Sequence, residues 1–227
     1  MMSTMRTYGQ NCGLARSLDL IGERWTLLIV RELARGPKRF GDLTSSLQGI
    51  GTNLLAARLR SLQDAGIIVH EEMAPSGVPG YALTDRGRAL VPMLESLALW
   101  GLEIPWPDTD DARSRAAWAA MTMRANMEHT GGAAPDGVYE FDVEGERFWL
   151  RVSAGRSELL DGPAPVASDV RVSCDRTQFM RLARGETPAG AVQGDSSRLQ
   201  ELMHSFRFPV DAANVGYMAA GGSDGPA

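Results

Sequence analysis

Residues 40–66, FGDLTSSLQGIGTNLLAARLRSLQDAG, hold two short apolar stripes separated by a glycine-rich break. Phe40, Leu43 and Leu47 recur at the three- and four-residue spacing of one helix face, and Leu55, Leu59 and Leu62 repeat it. The QGIG between them, residues 48–51, interrupts both periods, and Gly66 ends the second. Two short helices with one stripe each, joined by a tight turn, must pack on each other, which leaves the second a free outer face. That face carries Thr52, Asn53, Ala56, Ala57 and Arg60. Its side chains are small at the helix start, so the backbone can come close to a partner.

Upstream, Leu14, Leu18 and Ile21 share a face in residues 12–22, and WTLLIVRELARG at 25–36 is apolar nearly all round, as a central buried helix would be. Gly36-Pro37 stops it. Downstream, IIVHEEM and YALT flank the turn chemistry of APSGVPG and predict a hairpin. Thr84 is expected to cap a helix through about Trp100, with Leu90, Met93, Leu94 and Leu97 as its apolar stripe and a kink at Pro92. This order is that of a winged helix-turn-helix. In it Asn53 can pair with an adenine edge, and Arg60 with a guanine edge or a phosphate.

The net charge of -5 looks wrong for a partner of DNA until it is divided. Residues 1–100 hold 11 Lys and Arg against 9 Asp and Glu, whereas residues 101–227 hold 12 against 19. The first part can face phosphates and the second would be repelled by them. EIPWPDTDD at 103–111, with prolines and clustered acids, marks the boundary. The expected layout is an α+β chain. Residues 1–104 form the winged helix-turn-helix domain, 105–112 a linker, 113–212 a sheet-and-helix domain, and 213–227 a flexible tail.

Within the second domain, residues 113–128 predict a helix bearing Trp118, Met121, Met123 and Met127. GVYEFDVEGERFWLRVSAGRSELLDG then predicts three strands joined at Glu144-Gly145 and Ala154-Gly155. DVRVSCD predicts a fourth, and Asp175 caps a helix holding Phe179.

The blocks SLDLIGERWTLLIVREL, GPKRFGDL, GIGTNLLAARLRSLQDAGII and GYALTDRGRALVPMLESLALWG follow one another over residues 12–101 as in the HxlR-type regulators, relatives of the MarR-like winged-helix proteins, which this stretch resembles. The resemblance implies a homodimer built from the first and last helices of the domain, reading a palindromic operator. The family's wing often carries an arginine near the valine before the tyrosine, whereas APSGVPGY has none. Lys38, Arg39, Arg58 and Arg60 must then carry more of the phosphate contact. Some members sense oxidants or electrophiles with a cysteine at the position of Cys12, where a helix N-terminus, helped by Arg16, could lower the thiol pKa.

The run DVRVSCDRTQFMRLARGETPAGAVQGDSSRLQELMHSF resembles the end of a sterol-carrier-protein-type domain. That resemblance implies an apolar cavity between sheet and helices, with Trp118, Met121, Phe141, Trp149, Phe179 and Phe206 as candidate contacts for an apolar or aromatic effector.

These readings combine into a cytoplasmic, DNA-binding regulator whose operator affinity responds to that effector. A redox or electrophile sensor acting through Cys12, and a carrier or enzyme domain tethered to DNA, stay open as alternatives. An enzyme is not expected: HExxH, GxSxG and a P-loop are absent, and His70, His129 and His204 are scattered. Cys12 and Cys174 lie far apart without CxxC spacing, so neither a metal site nor a disulfide framework is expected, and no cofactor is implied. No apolar run is long enough to span a bilayer, and MMSTMRTYGQ lacks the plan of a signal peptide.

Overall fold

The computed structural model describes residues 7–73, 77–102, 104, 115–131, 133–183, 186 and 191–205. The expected linker 105–112, Phe206 and the tail 213–227 lie outside the described residues. The chain divides into two compact units, Met1–Leu94 and Glu95–Ala227, each with its own apolar core.

The first unit is a winged helix-turn-helix. Four helices, α1 (Gly13–Ile21), α2 (Thr26–Leu33), α3 (Phe40–Ser46) and α4 (Thr52–Asp64), precede the hairpin of β1 (Ile68–Met73) and β2 (Val78–Leu83). The hairpin pairs Ile68 with Leu83 and Met73 with Val78. Lys38 extends it by one bridge, its N–H reaching the Tyr81 carbonyl at 2.9 Å and its carbonyl accepting from Tyr81 N–H at 2.8 Å. Ile29, Val30, Leu33, Leu43, Leu47, Leu55, Leu59 and Leu62 fill the core, so the stripes of α3 and α4 pack inward as their spacing requires.

On the face that Leu14, Leu18 and Ile21 share, Ile21 is buried while Leu14 and Leu18 are 69% and 38% exposed, and Ala15 is buried as well. The single helix expected after Thr84 is two, α5 (Asp85–Arg88) and α6 (Val91–Leu102). Pro92 has no N–H to donate, and its ring would strike the carbonyl one turn back, so the chain restarts a helix there instead of kinking one. Thr84 does cap α5, accepting from Gly87 N–H at 3.2 Å. Gly87 must be glycine, since a Cβ there would lie 2.1 Å from the Ile67 carbonyl oxygen. Of the apolar stripe, Leu94 is buried, and Met93 and Leu97 are exposed.

The second unit stacks helices on one face of a five-stranded sheet. Helix α7 (Ala116–Thr130) comes first, followed by β3 (Gly137–Val143), β4 (Glu146–Ser153), β5 (Arg156–Asp161) and β6 (Val170–Cys174). Helix α8 (Arg176–Ala183), β7 (Val192–Gly194) and α9 (Ser196–Ser205) complete it. The strand order is β5-β4-β3-β6-β7, antiparallel except where β6 lies parallel to β3. Both expected hairpin turns put two successive residues at positive φ, Glu144 and Gly145 at 53° and 84°, Ala154 and Gly155 at 50° and 74°. Left-handed pairs of this kind match the twist of the strands they join. Asp175 caps α8 in a reciprocal pair with Gln178: its carboxylate accepts from Gln178 N–H at 2.7 Å, and the Gln178 side chain accepts from Asp175 N–H at 3.0 Å.

Strand alternation decides which side chains meet the helices. Tyr139, Phe141, Val143, Phe148, Leu150, Val152, Val170 and Val172 pack with Met123, Phe179, Leu199, Leu202 and Met203. Phe141 and Phe148 stack at 5.2 Å between centroids, and Phe179 meets both edge-on. Among the described residues, a void of about 10 Å³ lies between sheet and helices, with Phe141, Phe148 and Phe179 on its lining. Trp149 falls on the opposite face of the sheet, paired with Glu140 and covered by the Arg151 guanidinium 5.2 Å from its ring.

Candidate nucleic-acid interface

The turn between α3 and α4 is held from below. Leu47 and Ile50 are buried, and Gly49 takes φ +97°, where L side chains are strained. Trp25, itself left-handed at φ 80°, brings its ring tip to the turn, 3.5 Å from where a Cβ on Gly49 would sit. Helix α3 begins with the Arg39 N–H donating to the Asp42 carboxylate at 3.0 Å. Helix α4 has Gly51 at its N-cap, with no side chain capping it; Thr52, which could have capped, is instead its first residue.

With Leu55, Leu59 and Leu62 seated in the core, α4 turns Thr52, Asn53 and Arg60 to solvent, while Ala56 and Ala57 are half-buried beside them. Arg39 is exposed at the start of α3, and Lys38 is half-buried within the wing sheet. Lys38 and Arg39 thus lie on the approach to α3, and Thr52, Asn53 and Arg60 on the solvent side of α4. Arg58 is engaged differently. Its guanidinium bonds the Glu23 carboxylate at 2.7 Å, and its Nε is buried without a hydrogen bond. Sequence spacing could not find Glu23 or Trp25, because they reach α4 and the turn before it from a loop more than twenty residues upstream.

Of the candidate effector contacts, Met121, Phe141 and Phe179 share the apolar core of the second unit. Phe141 and Phe179 line the small void; Met121 is buried in the same core but does not line it. Trp118 is half-buried with the Arg115 guanidinium 6.0 Å from its ring, Trp149 lies on the other sheet face, and Phe206 is outside the described residues. Cys12 is exposed at the start of α1, where the backbone N–H groups of Ala15 and then Leu14 favour its thiolate and hold the pKa below the ordinary thiol value. Arg16, expected to help, is not among the causes. Burial, followed by Asp175, Asp142 and Glu144, pushes the Cys174 thiol up to about 11.

Among the described residues no group of three or more His, Cys, Asp or Glu could hold a metal ion, and no helix is long and apolar enough to cross a membrane.

Residues 20–107 match the HxlR-like helix-turn-helix family, a span that contains α2, α3, α4 and the wing. The HTH-type transcriptional regulator sll1512 of Synechocystis sp. is 38% identical over 101 residues, 43% of this chain and 72% of that protein. The regulator YvaP of Bacillus subtilis is 32% identical over 94 residues, 41% of this chain and 85% of that protein. A crystal structure of quinone-bound YodB from B. subtilis is 31% identical, covering 40% of this chain and 97% of that one with a TM-score of 0.36. The matched blocks are those that build the helix-turn-helix and its wing, and the chain belongs to the HxlR-like helix-turn-helix family of transcriptional regulators.

Proposed function

We propose that this regulator binds operator DNA as a homodimer, with α4 in the major groove and the second unit carrying the input. The observation that carries the reading is α4 itself: one face seated by three leucines, the other presenting Thr52, Asn53 and Arg60 to solvent. Asn53 reads a base edge, and Arg60 reads a guanine or a phosphate. Lys38 and Arg39 hold the backbone at the start of α3. Leu14 and Leu18 on α1, and Met93, Leu97 and Trp100 on α6, are exposed apolar side chains of the sort a second copy covers.

Operator sequences selected from random duplexes by the full chain provide the test. Asn53→Ala and Arg60→Ala are each expected to weaken the selected site by about 1–3 kcal/mol with the melting temperature unchanged. Loss of a base contact relaxes preference at one position, whereas loss of a phosphate contact flattens the salt dependence. Unchanged affinity in both variants at fixed salt would place recognition elsewhere.

The input proposed is an apolar or aromatic small molecule taken up between sheet and helices of the second unit. The void is much smaller than an occupied pocket. Uptake therefore requires its lining to repack, and the flexible Met123 and Met203 on that lining suit it. Coupling follows if the ligand favours one of the DNA-competent and incompetent forms over the other.

A second reading rests on Cys12, an exposed thiol with a lowered pKa. Iodoacetamide at neutral pH is expected to label Cys12 at least about tenfold faster than Cys174, since a thiol at about 11 holds almost no thiolate there. Equal labelling rates would remove this reading. Oxidant that releases the wild-type chain from DNA but spares Cys12→Ser would put it ahead of the effector.

A further inference from the structure

Arg58 occupies an unusual position for a cation on the helix proposed to read DNA. Its Nη2 lies 2.7 Å from Glu23 Oε2, across 35 residues of sequence, and its Nε is buried with no hydrogen bond. The side chain is therefore seated along the flank of α4 by packing, with its outer nitrogen on a carboxylate. Both partners open to solvent, with Arg58 21% and Glu23 52% exposed. The adjacent cation, Arg24, is drawn elsewhere, its guanidinium 5.5 Å over the Trp25 ring. Trp25 in turn rests on the helix-turn-helix turn at Gly49, which keeps the 23–25 loop beside α4.

We propose that Glu23 holds on Arg58 the place of a DNA phosphate oxygen, and so acts as an intramolecular competitor for one backbone contact. The proposal rests on the operator reading above. Carboxylate and phosphate oxygens make the same charge-assisted bond with a guanidinium, so the geometry that suits one suits the other. An ion pair this open to water is weak and screened by salt, which makes it displaceable. While it stands, α4 presents one cation fewer to the backbone, and binding to arbitrary DNA is correspondingly weak.

The full-length chain is titrated with a random-sequence 30-bp duplex over a range of salt, comparing wild type, Glu23→Gln, Arg58→Ala, the double variant and Arg60→Ala. Glu23→Gln keeps the shape and removes the charge. It is expected to bind at least about threefold tighter at about 0.1 M salt, with a log K against log salt slope steeper by about 0.9, one added phosphate contact. The gain must vanish when Arg58→Ala is also present. A gain that persists without Arg58 is mere loss of a negative charge, and it overturns the proposal. Unchanged or weaker binding by Glu23→Gln overturns it too, and then makes Glu23 a prop for α4. Melting curves check the fold, with Glu23→Ser as the second substitution should the glutamine variant melt early. Failure of the operator reading looks different: Asn53→Ala and Arg60→Ala then bind the selected operator as tightly as the wild-type chain, whatever Glu23→Gln does on the random duplex.

Discussion

Glu32→Ala is expected to destabilise the first unit by about 3–5 kcal/mol, because it breaks a buried ion pair. Glu32 and Arg35 lie one turn apart on the central α2 and its continuation, with side chains 0% and 1% exposed. The carboxylate accepts from Arg35 Nη2 at 2.8 Å through Oε2, and from Arg31 Nε at 3.0 Å through Oε1. Burial alone would push the Glu32 carboxyl up; Arg35 and Arg31 overcome this and hold its pKa below the ordinary carboxylate value. A carboxyl with a depressed native pKa contributes stability that is complete above its unfolded value, about 4.3, and is lost as pH falls through the lower native one. The wild-type chain should therefore lose stability in that acidic window, and Glu32→Ala should lose less of it there. Urea unfolding at pH 7 and at pH 3 measures both effects. Removing both charges as Glu32→Met with Arg35→Met should cost much less than Glu32→Ala, since both members of the pair leave together and apolar side chains fill their place. A loss under about 1 kcal/mol for Glu32→Ala at pH 7 would show that water reaches the site and solvates Arg35.

That pair shows where sequence reading ends. WTLLIVRELARG reads as a helix buried nearly all round, and the structure agrees for Ile29, Val30 and Leu33. Charges inside such a run read as a solvated edge, and only tertiary packing shows that Glu32 and Arg35 are interior. The reverse happened on α1. Leu14 and Leu18 satisfy the helical period, but the period identifies an apolar face without saying what covers it. A face reserved for another chain has the same pattern as one turned to the core. The residues of α4 were legible because three leucines at i, i+4 and i+7 leave a single outer face. Arg58 was not, because its partner comes from a distant loop. In the second unit the hairpins were legible from Glu144-Gly145 and Ala154-Gly155, whose turn chemistry is local. Strand β7, with only three residues, has no period to read. Aromatic content pointed to a cavity, but it cannot distinguish rings that line a space from rings that fill it.

Phe148→Ala makes that distinction, and it is expected to cost about 3–5 kcal/mol. Phe148 is fully buried on β4, stacked 5.2 Å from Phe141 and edge-on to Phe179 at 5.8 Å. Its ring lines the void, so its removal enlarges an existing space with apolar walls. Cost grows with whatever volume the neighbours fail to refill, and three mutually packed rings on a sheet have little freedom to move into the gap. A hole that stays open and apolar stays dry and admits a small aromatic such as benzene. Benzene should then raise the melting temperature of Phe148→Ala, by a stabilisation that reaches about 2.7 kcal/mol at a hundredfold excess over its dissociation constant. The same scan on the wild-type chain, run against a panel of larger apolar compounds, tests the effector. If the interior is a site that repacks, the wild-type chain is also stabilised, by ligands larger than benzene, and operator affinity shifts with them. If benzene rescues the variant while no compound moves the wild-type melt, Phe141, Phe148 and Phe179 are core and nothing more. The input to α4 would then have to come from outside the second unit's interior, with Cys12 the first place to look.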